Sequence, residues 1–108
     1  MADLIAIARE GGIAVVTFNR EASRNALSVA LARRIVAVLA ELDADRRVRA
    51  IVLTGAGGKA FCAGVDLAEA RAVTVDGIED WFGEVCALYR AILETGKPVV
   101  AALNGVAA

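Results

Sequence analysis

Histidine is absent from all 108 residues, proline occurs once, and cysteine occurs twice, as Cys62 and Cys86. Without histidine there is no serine/histidine triad, no cysteine/histidine dyad and no histidine-bearing zinc site. Two separated cysteines are too few for a tetrahedral thiolate site, so no metal is expected. Long hydrophobic runs are missing as well: none approaches the roughly 20 residues that span a bilayer. The start, Met1-Ala2-Asp3-Leu4-Ile5, lacks the basic opening of a secretory signal peptide. A cytoplasmic protein with reduced thiols and no membrane contact is expected. Charge of one sign is not in excess either. The balance of 12 basic and 13 acidic side chains, net charge -1, gives no electrostatic ground for nucleic acid or an anionic membrane surface.

What is present describes one packed domain, with 58% hydrophobic and 23% charged residues. Leu4 to Ala8 and Ile13 to Phe18 flank Gly11-Gly12 and read as a β-hairpin. Ser28 is placed to cap a helix in which Leu31, Ile35, Val38, Leu39 and Leu42 recur at helical spacing, about four turns long. Asp43 to Arg47 is polar punctuation before Arg49 to Thr54, whose apolar centre suits a strand covered on both faces. Asp66 is placed to cap a short helix reaching about Ala72. The spacing predicts a second long helix from about Val75 to Leu93, with Ile78, Phe82, Val85, Leu88, Tyr89 and Ile92 inward. Gly96 stops it, and Lys97-Pro98 leads into a buried strand at Val99 to Leu103. The order β-β-α-β-loop-α-β argues for α/β layering with adjacent parallel strands. The apolar end, Asn104 to Ala108, directly follows a strand and carries no polar tail, so the chain is expected to be cut short there.

The stretch Gly57-Gly58-Lys59-Ala60-Phe61-Cys62-Ala63-Gly64-Val65-Asp66-Leu67 invites four kinds of chemistry. A phosphate-binding P-loop fails on spacing and on Ala60, which stands where a hydroxyl would hold magnesium. The dinucleotide fingerprint fails because glycine is needed at position 60. Cys62 lacks a histidine partner and reads as a packing cysteine, Phe61 as a core anchor and Asp66 as a helix cap. What remains is the backbone. The small residues Ala63 and Gly64 before a helix let the N–H groups of residues 65 to 67 point into one space, with the helix dipole behind them. An oxyanion hole is built that way, and so is an ordinary strand-to-helix connection; the residues alone leave both readings open.

Four blocks of this chain resemble, in order and spacing, the N-terminal part of the enoyl-CoA hydratase/isomerase (crotonase) superfamily. They are Val16-Thr17-Phe18-Asn19-Arg20 with Ser23-Arg24-Asn25-Ala26-Leu27-Ser28; Arg49 through Gly55; Lys59 through Leu67; and Lys97 through Gly105. The resemblance covers essentially the whole chain, and its third block is the most specific.

The resemblance implies an α/β fold, the first turns of a crotonase-like ββα spiral, incomplete. It implies a Val65 N–H that serves as one of two oxyanion donors to the thioester carbonyl of an acyl-CoA. The Ala63 carbonyl would bond the adenine of coenzyme A, and the segment around Arg24, Ala26 and Leu27 would border its adenosine and phosphates, with Arg24 the cationic contact. Gly64, Asp66 and Leu67 are carried over as substrate-binding neighbours. The implied reaction adds water across, or shifts, a C=C bond, with no metal or other cofactor beyond the coenzyme A thioester that is the substrate. Trimers or hexamers are common in the family, so a homo-oligomer or a complementing C-terminal chain is the expected partner. Two departures stand out. Glu21 replaces a common proline, and the glycine that supplies the second oxyanion N–H falls just past Ala108. With the catalytic carboxylates further on, the chain is expected to be an inefficient catalyst alone. The alternative is a non-catalytic coenzyme A-binding or assembly fragment, or half of a split enzyme.

Overall fold

The protein is described by a computed structural model, in which residues 3–108 are the described residues; the first two positions of the start read above lie outside them. Strands β1 (Ile5–Glu10) and β2 (Ile13–Phe18) form the expected hairpin, antiparallel from Ile5 opposite Phe18 to Glu10 opposite Ile13. Ala14, Val16 and Phe18 are buried, so the two-residue period turns one face of β2 inward. Helix α1 (Val29–Ala44) starts where Ser28 Oγ accepts the Leu31 N–H at 3.1 Å, as its sequence predicts. Its Leu31, Ile35, Val38, Leu39 and Leu42 are at most 2% exposed. Burying each contributes about 1.5–3 kcal/mol, which is what seats the helix.

Strand β3 (Ala50–Gly55) returns parallel to β2, with Ile13 opposite Ala50 and Phe18 opposite Gly55. The expected cover on both faces is found on one: Ile51 and Leu53 are buried, whereas Val52 and Thr54 are half-buried. Next comes an element that the reading of a loop missed. Strand β4 (Ala60–Cys62) pairs in parallel with β6 (Val106–Ala107) as a second, two-stranded sheet. Strands this short carry no periodic signal, and their pairing joins distant segments.

Helix α2 (Leu67–Ala72) leads through a 3-10 turn, Val75–Gly77, into helix α3 (Ile78–Glu94). Of the side chains expected inward on α3, Val85 and Leu88 are buried and Ile92 packs partly on the core. Ile78, Phe82 and Tyr89 are instead 53%, 59% and 54% exposed. The helix rests on α1 along a narrow stripe, fastened by a two-bond pair between Arg33 and Glu84 at 3.0 and 2.8 Å, so its broad apolar arc is only partly covered. Strand β5 (Val99–Ala101) joins β3 in parallel, giving the order β1-β2-β3-β5. It was expected to be buried, yet Val100 is 54% exposed, because β5 is the sheet's edge strand among the described residues.

The run Thr95-Gly96-Lys97 closes the end of α1. Lys97 Nζ donates to the Leu42 and Asp45 carbonyls, which also accept the Asp45 and Val48 N–H groups, and so places a cation at the helix C-terminus. Asp43 Oδ1 accepts from Thr95 Oγ1 and the Gly96 N–H, both at 2.9 Å. Among the described residues no helix is long and apolar enough to cross a membrane.

Candidate functional site

The site grows from two turns that lie side by side. One enters α1 through Arg24, Asn25, Ala26, Leu27 and Ser28; the other leaves β4 through Ala63 and Gly64 and enters α2 through Val65 and Asp66. Three backbone bonds join them: Ala63 N–H to the Arg24 carbonyl at 3.1 Å, Leu27 N–H to the Gly64 carbonyl at 2.8 Å, and Asp66 N–H to the Leu27 carbonyl at 2.8 Å. Leu27 and Val65 thereby form an isolated parallel bridge. In such a bridge the neighbours of Val65 face Leu27, so its own N–H points the other way. No acceptor among the described residues meets the Val65 N–H, and no donor meets the Ala63 carbonyl. Gly64 supplies the necessary bend at φ +99°, a conformation closed to other residues without strain.

The residues that carry both groups line an open cavity of about 500 Å³, together with Arg20, Ser23, Ala26, Asp66, Leu67 and Ala68. Asp66 holds its wall with two oxygens. Oδ1 accepts the Glu69 N–H at 3.1 Å, the predicted cap, and Oδ2 accepts from Arg20 Nη2 at 3.0 Å. The Glu69 amide first, and the Arg20 guanidinium second, hold the Asp66 carboxyl below its ordinary value. This keeps it an ionised structural acceptor. The expected fan of N–H groups from residues 65 to 67 is therefore narrowed, since the Asp66 N–H is spent on Leu27.

Two asparagines tie the loops together. Asn25 is 0% exposed, and with Arg24 it holds left-handed backbone, φ 56° and 51°. Its Oδ1 accepts the Arg20 N–H at 2.9 Å, while Nδ2 donates to the carbonyls of Ala60 at 2.9 Å and Ala56 at 3.2 Å. Asn104 Oδ1 accepts the Gly55 N–H at 3.0 Å, and its Nδ2 donates to the Gly57 carbonyl at 2.9 Å. Close packing here leaves no room for side chains: a Cβ on Gly55 would lie 2.6 Å from the Ala60 and Phe61 carbonyl oxygens. The chain end reaches the same place. Ala108 N–H donates to the Cys62 carbonyl at 3.0 Å, beside Gly64.

The arrangement of these blocks is shared with known proteins. The profile of the enoyl-CoA hydratase/isomerase family matches residues 8–108. The chain belongs to that family. A short-chain-enoyl-CoA hydratase of Clostridium acetobutylicum is 38% identical over 105 residues, 95% of this chain and 40% of that protein. The mitochondrial 3-hydroxyisobutyryl-CoA hydrolase of Bos taurus is 36% identical over 105 residues, 94% of this chain and 27% of that one. A crystal structure of enoyl-CoA hydratase from Bacillus anthracis superposes with a TM-score of 0.93 at 30% identity, over 97% of this chain and 41% of that chain. The chain thus spans about two fifths of the length of the hydratases it matches, and its fold is the corresponding part of the crotonase fold.

Within this enoyl-CoA hydratase/isomerase frame, the predicted residues do not all meet. Ala26, Ala63, Val65, Asp66 and Leu67 share the cavity, with Leu27 buried beneath it and the Gly64 carbonyl bonded to Leu27. Arg24 is exposed and does not line the cavity; its contribution there is the carbonyl that holds Ala63. Phe61 stacks at a tilt on Phe18, centroids 5.4 Å apart, and Cys62 is buried, so both occupy the packing roles read from the sequence. Sequence reasoning missed Arg20 and Ser23, which line the cavity. Arg20 reads as a strand terminator, and only its contact with a residue 46 positions away reveals more.

Proposed function

We propose that these residues form half of the oxyanion site and part of the coenzyme A pocket of an enzyme that adds water across, or shifts, the C=C bond of an acyl-CoA. The single observation that carries the reading is the Val65 N–H, aimed away from Leu27 and unmet by any acceptor among the described residues. When hydroxide adds to the β-carbon of an enoyl thioester, or a proton leaves the γ-carbon, the electron pair moves onto the thioester oxygen. A fixed N–H beside that oxygen stabilises the enolate with little reorganisation, and one such donor is worth about 3 kcal/mol of barrier. Protonation of the enolate then completes either reaction.

The Ala63 carbonyl is the acceptor we assign to the adenine amino group of coenzyme A, with the walls from Ala26 and Leu67 beside it. Neither reaction transfers electrons to an external acceptor, so the thioester is proposed as substrate and no cofactor is required. Proton transfer is a different matter. Asp66 is engaged by Arg20 and Glu69 and is unsuited to it. The second donor and the proton-transfer carboxylates are proposed to come from protein beyond these 108 residues, in an oligomer or a complementing chain. The 108-residue chain alone is then a binder of acyl-CoA and an inefficient catalyst.

Titration of the isotopically labelled chain with crotonyl-CoA, followed by amide NMR, tests this. The Val65 amide resonance is expected to move downfield with saturation, while crotonyl-CoA remains unhydrated. Unmoved resonances across residues 63–67, or efficient hydration by the chain alone, would overturn the proposal.

A further inference from the structure

The Arg20 guanidinium stands at the seam between the two turns. Nη1 donates to the Ala26 carbonyl, and Nη2 to Ser23 Oγ at 3.4 Å and Asp66 Oδ2 at 3.0 Å. Its backbone is fixed too, because the Arg20 N–H is held by the buried Asn25 side chain and its carbonyl accepts the Asn25 N–H, both at 2.9 Å. Both charged side chains are mostly covered, 20% exposed for Arg20 and 17% for Asp66, so solvent screens the pair less than a surface pair. A planar fork reaching three acceptors in two segments sets direction as well as distance.

We propose that Arg20 is a positioning residue of the site: through Asp66 it sets the direction of the Val65 N–H against the Ala26 and Ala63 wall, and so determines recognition of the thioester carbonyl rather than of coenzyme A itself. The proposal rests on Val65 being an oxyanion donor. Val65 is bracketed by Gly64, whose carbonyl is bonded to Leu27, and by Asp66, whose amide is bonded to Leu27 and whose side chain is bonded to Arg20 and Glu69. Every one of these restraints except the Arg20 contact is local to the bridge or to α2. Backbone bonds from Ala63 to Arg24 and from Leu27 to Gly64, and the Val29 N–H on Glu69 Oε1, also join the two turns, but Arg20 is the side chain that joins Asp66 itself to the Ala26 carbonyl and Ser23 across the cavity wall. Losing it leaves the bridge in place but frees its tilt. The seam is therefore expected to act on the carbonyl and to spare contacts made by the rest of the ligand.

The test compares the full 108-residue chain with its Arg20→Met, Arg20→Lys and Asp66→Asn variants. The probes are crotonyl-CoA and S-butyl-CoA, a thioether of similar size without a carbonyl, and affinities are read by calorimetry. Asp66→Asn keeps a helix-capping oxygen and secures a folded variant if Arg20→Met loses structure. In the parent chain crotonyl-CoA is expected to bind about tenfold tighter than S-butyl-CoA, the scale of one charge-developing hydrogen bond. Both Arg20→Met and Asp66→Asn are expected to lose that preference, read as the ratio of the two affinities in each variant, and Arg20→Lys, with charge but no fork, to keep part of it. A general structural defect would weaken both ligands alike and would overturn the proposal. So would a preference retained in Arg20→Met and Asp66→Asn. A parent chain that binds neither ligand, or binds both equally, would instead sink the reading of Val65 as an oxyanion donor.

Discussion

Leu27 and Val65, 38 positions apart, form a parallel bridge that belongs to neither sheet and leaves the N–H of Val65, a residue that lines the cavity, turned away from Leu27. That one bridge joins the entry of α1 to the entry of α2. It also means that the group of interest is backbone, so side-chain changes and backbone changes at neighbouring positions have different consequences.

Val65→Ala keeps the N–H and is expected to alter crotonyl-CoA affinity less than twofold. Replacing the Val65 amide by an ester, through semisynthesis, removes the donor and is expected to weaken binding about tenfold. Gly64→Ala forces a Cβ onto φ +99° and is expected to cost about 1–3 kcal/mol of stability in urea titration, although the nearest atom, Ala108 Cβ, is a comfortable 3.7 Å away.

The second sheet depends on a missing side chain. A Cβ on Gly105 would lie 2.5 Å from the Lys59 carbonyl oxygen, whereas one on Gly58 meets nothing within 4 Å. Gly105→Ala is expected to destabilise by about 1–3 kcal/mol and to expose to hydrogen exchange the amides of Val106 and Ala108, which donate to the Lys59 and Cys62 carbonyls. Gly58→Ala serves as the control, and its urea midpoint is expected to match the parent.

Asn25 is buried with Oδ1 and Nδ2 both bonded, so truncation leaves the Arg20 N–H and the Ala56 carbonyl without their partner. Asn25→Ala is expected to cost about 2–4 kcal/mol by chemical denaturation, more than a typical surface change. Asn25→Gly, which relieves the backbone at φ 56°, is expected to recover only the conformational part, below about 1 kcal/mol.

Acid sensitivity follows from five carboxyls that sit below their ordinary values: Asp3, held by the Ile5 amide and Arg34, Asp45, held by the Arg47 side chain and amide, and three more. Asp43 is held by Thr95 Oγ1 and the Gly96 amide, Asp66 by the Glu69 amide and Arg20, and Glu84 by Arg33. A carboxyl with a lowered folded-state pKa stabilises above its unfolded value, near 4, and loses that contribution as pH falls through the folded-state value. The urea midpoint is expected to stay level between about pH 7 and 5 and to fall below about pH 4. Asp66→Asn is expected to make that acid fall shallower.

Legibility was uneven for physical reasons. The hairpin, α1 with its Ser28 cap, and α2 with its Asp66 cap rest on spacing within a few residues, and each lies where the sequence places it. The inward face of α3 and the burial of β5 were misjudged, because periodicity shows that a face is apolar and not how much of it a neighbour covers. Strands β4 and β6 were missed, since each exists only through the other. Of the cavity's residues, those in the Ala63 to Leu67 stretch were legible from the motif, while Arg20 was not.

The sequence by itself determined that the chemistry of this chain does not rest on histidine, that Gly64 bends the turn before α2, and that the family's motifs fall in order along it. Those properties are local, or depend on composition and spacing. Only the tertiary structure decided which N–H is left without a partner, which cation reaches the cavity, and how much of α3 stays exposed. Each of these depends on which distant segment occupies the neighbouring space, as when Arg20 takes Asp66 across 46 residues.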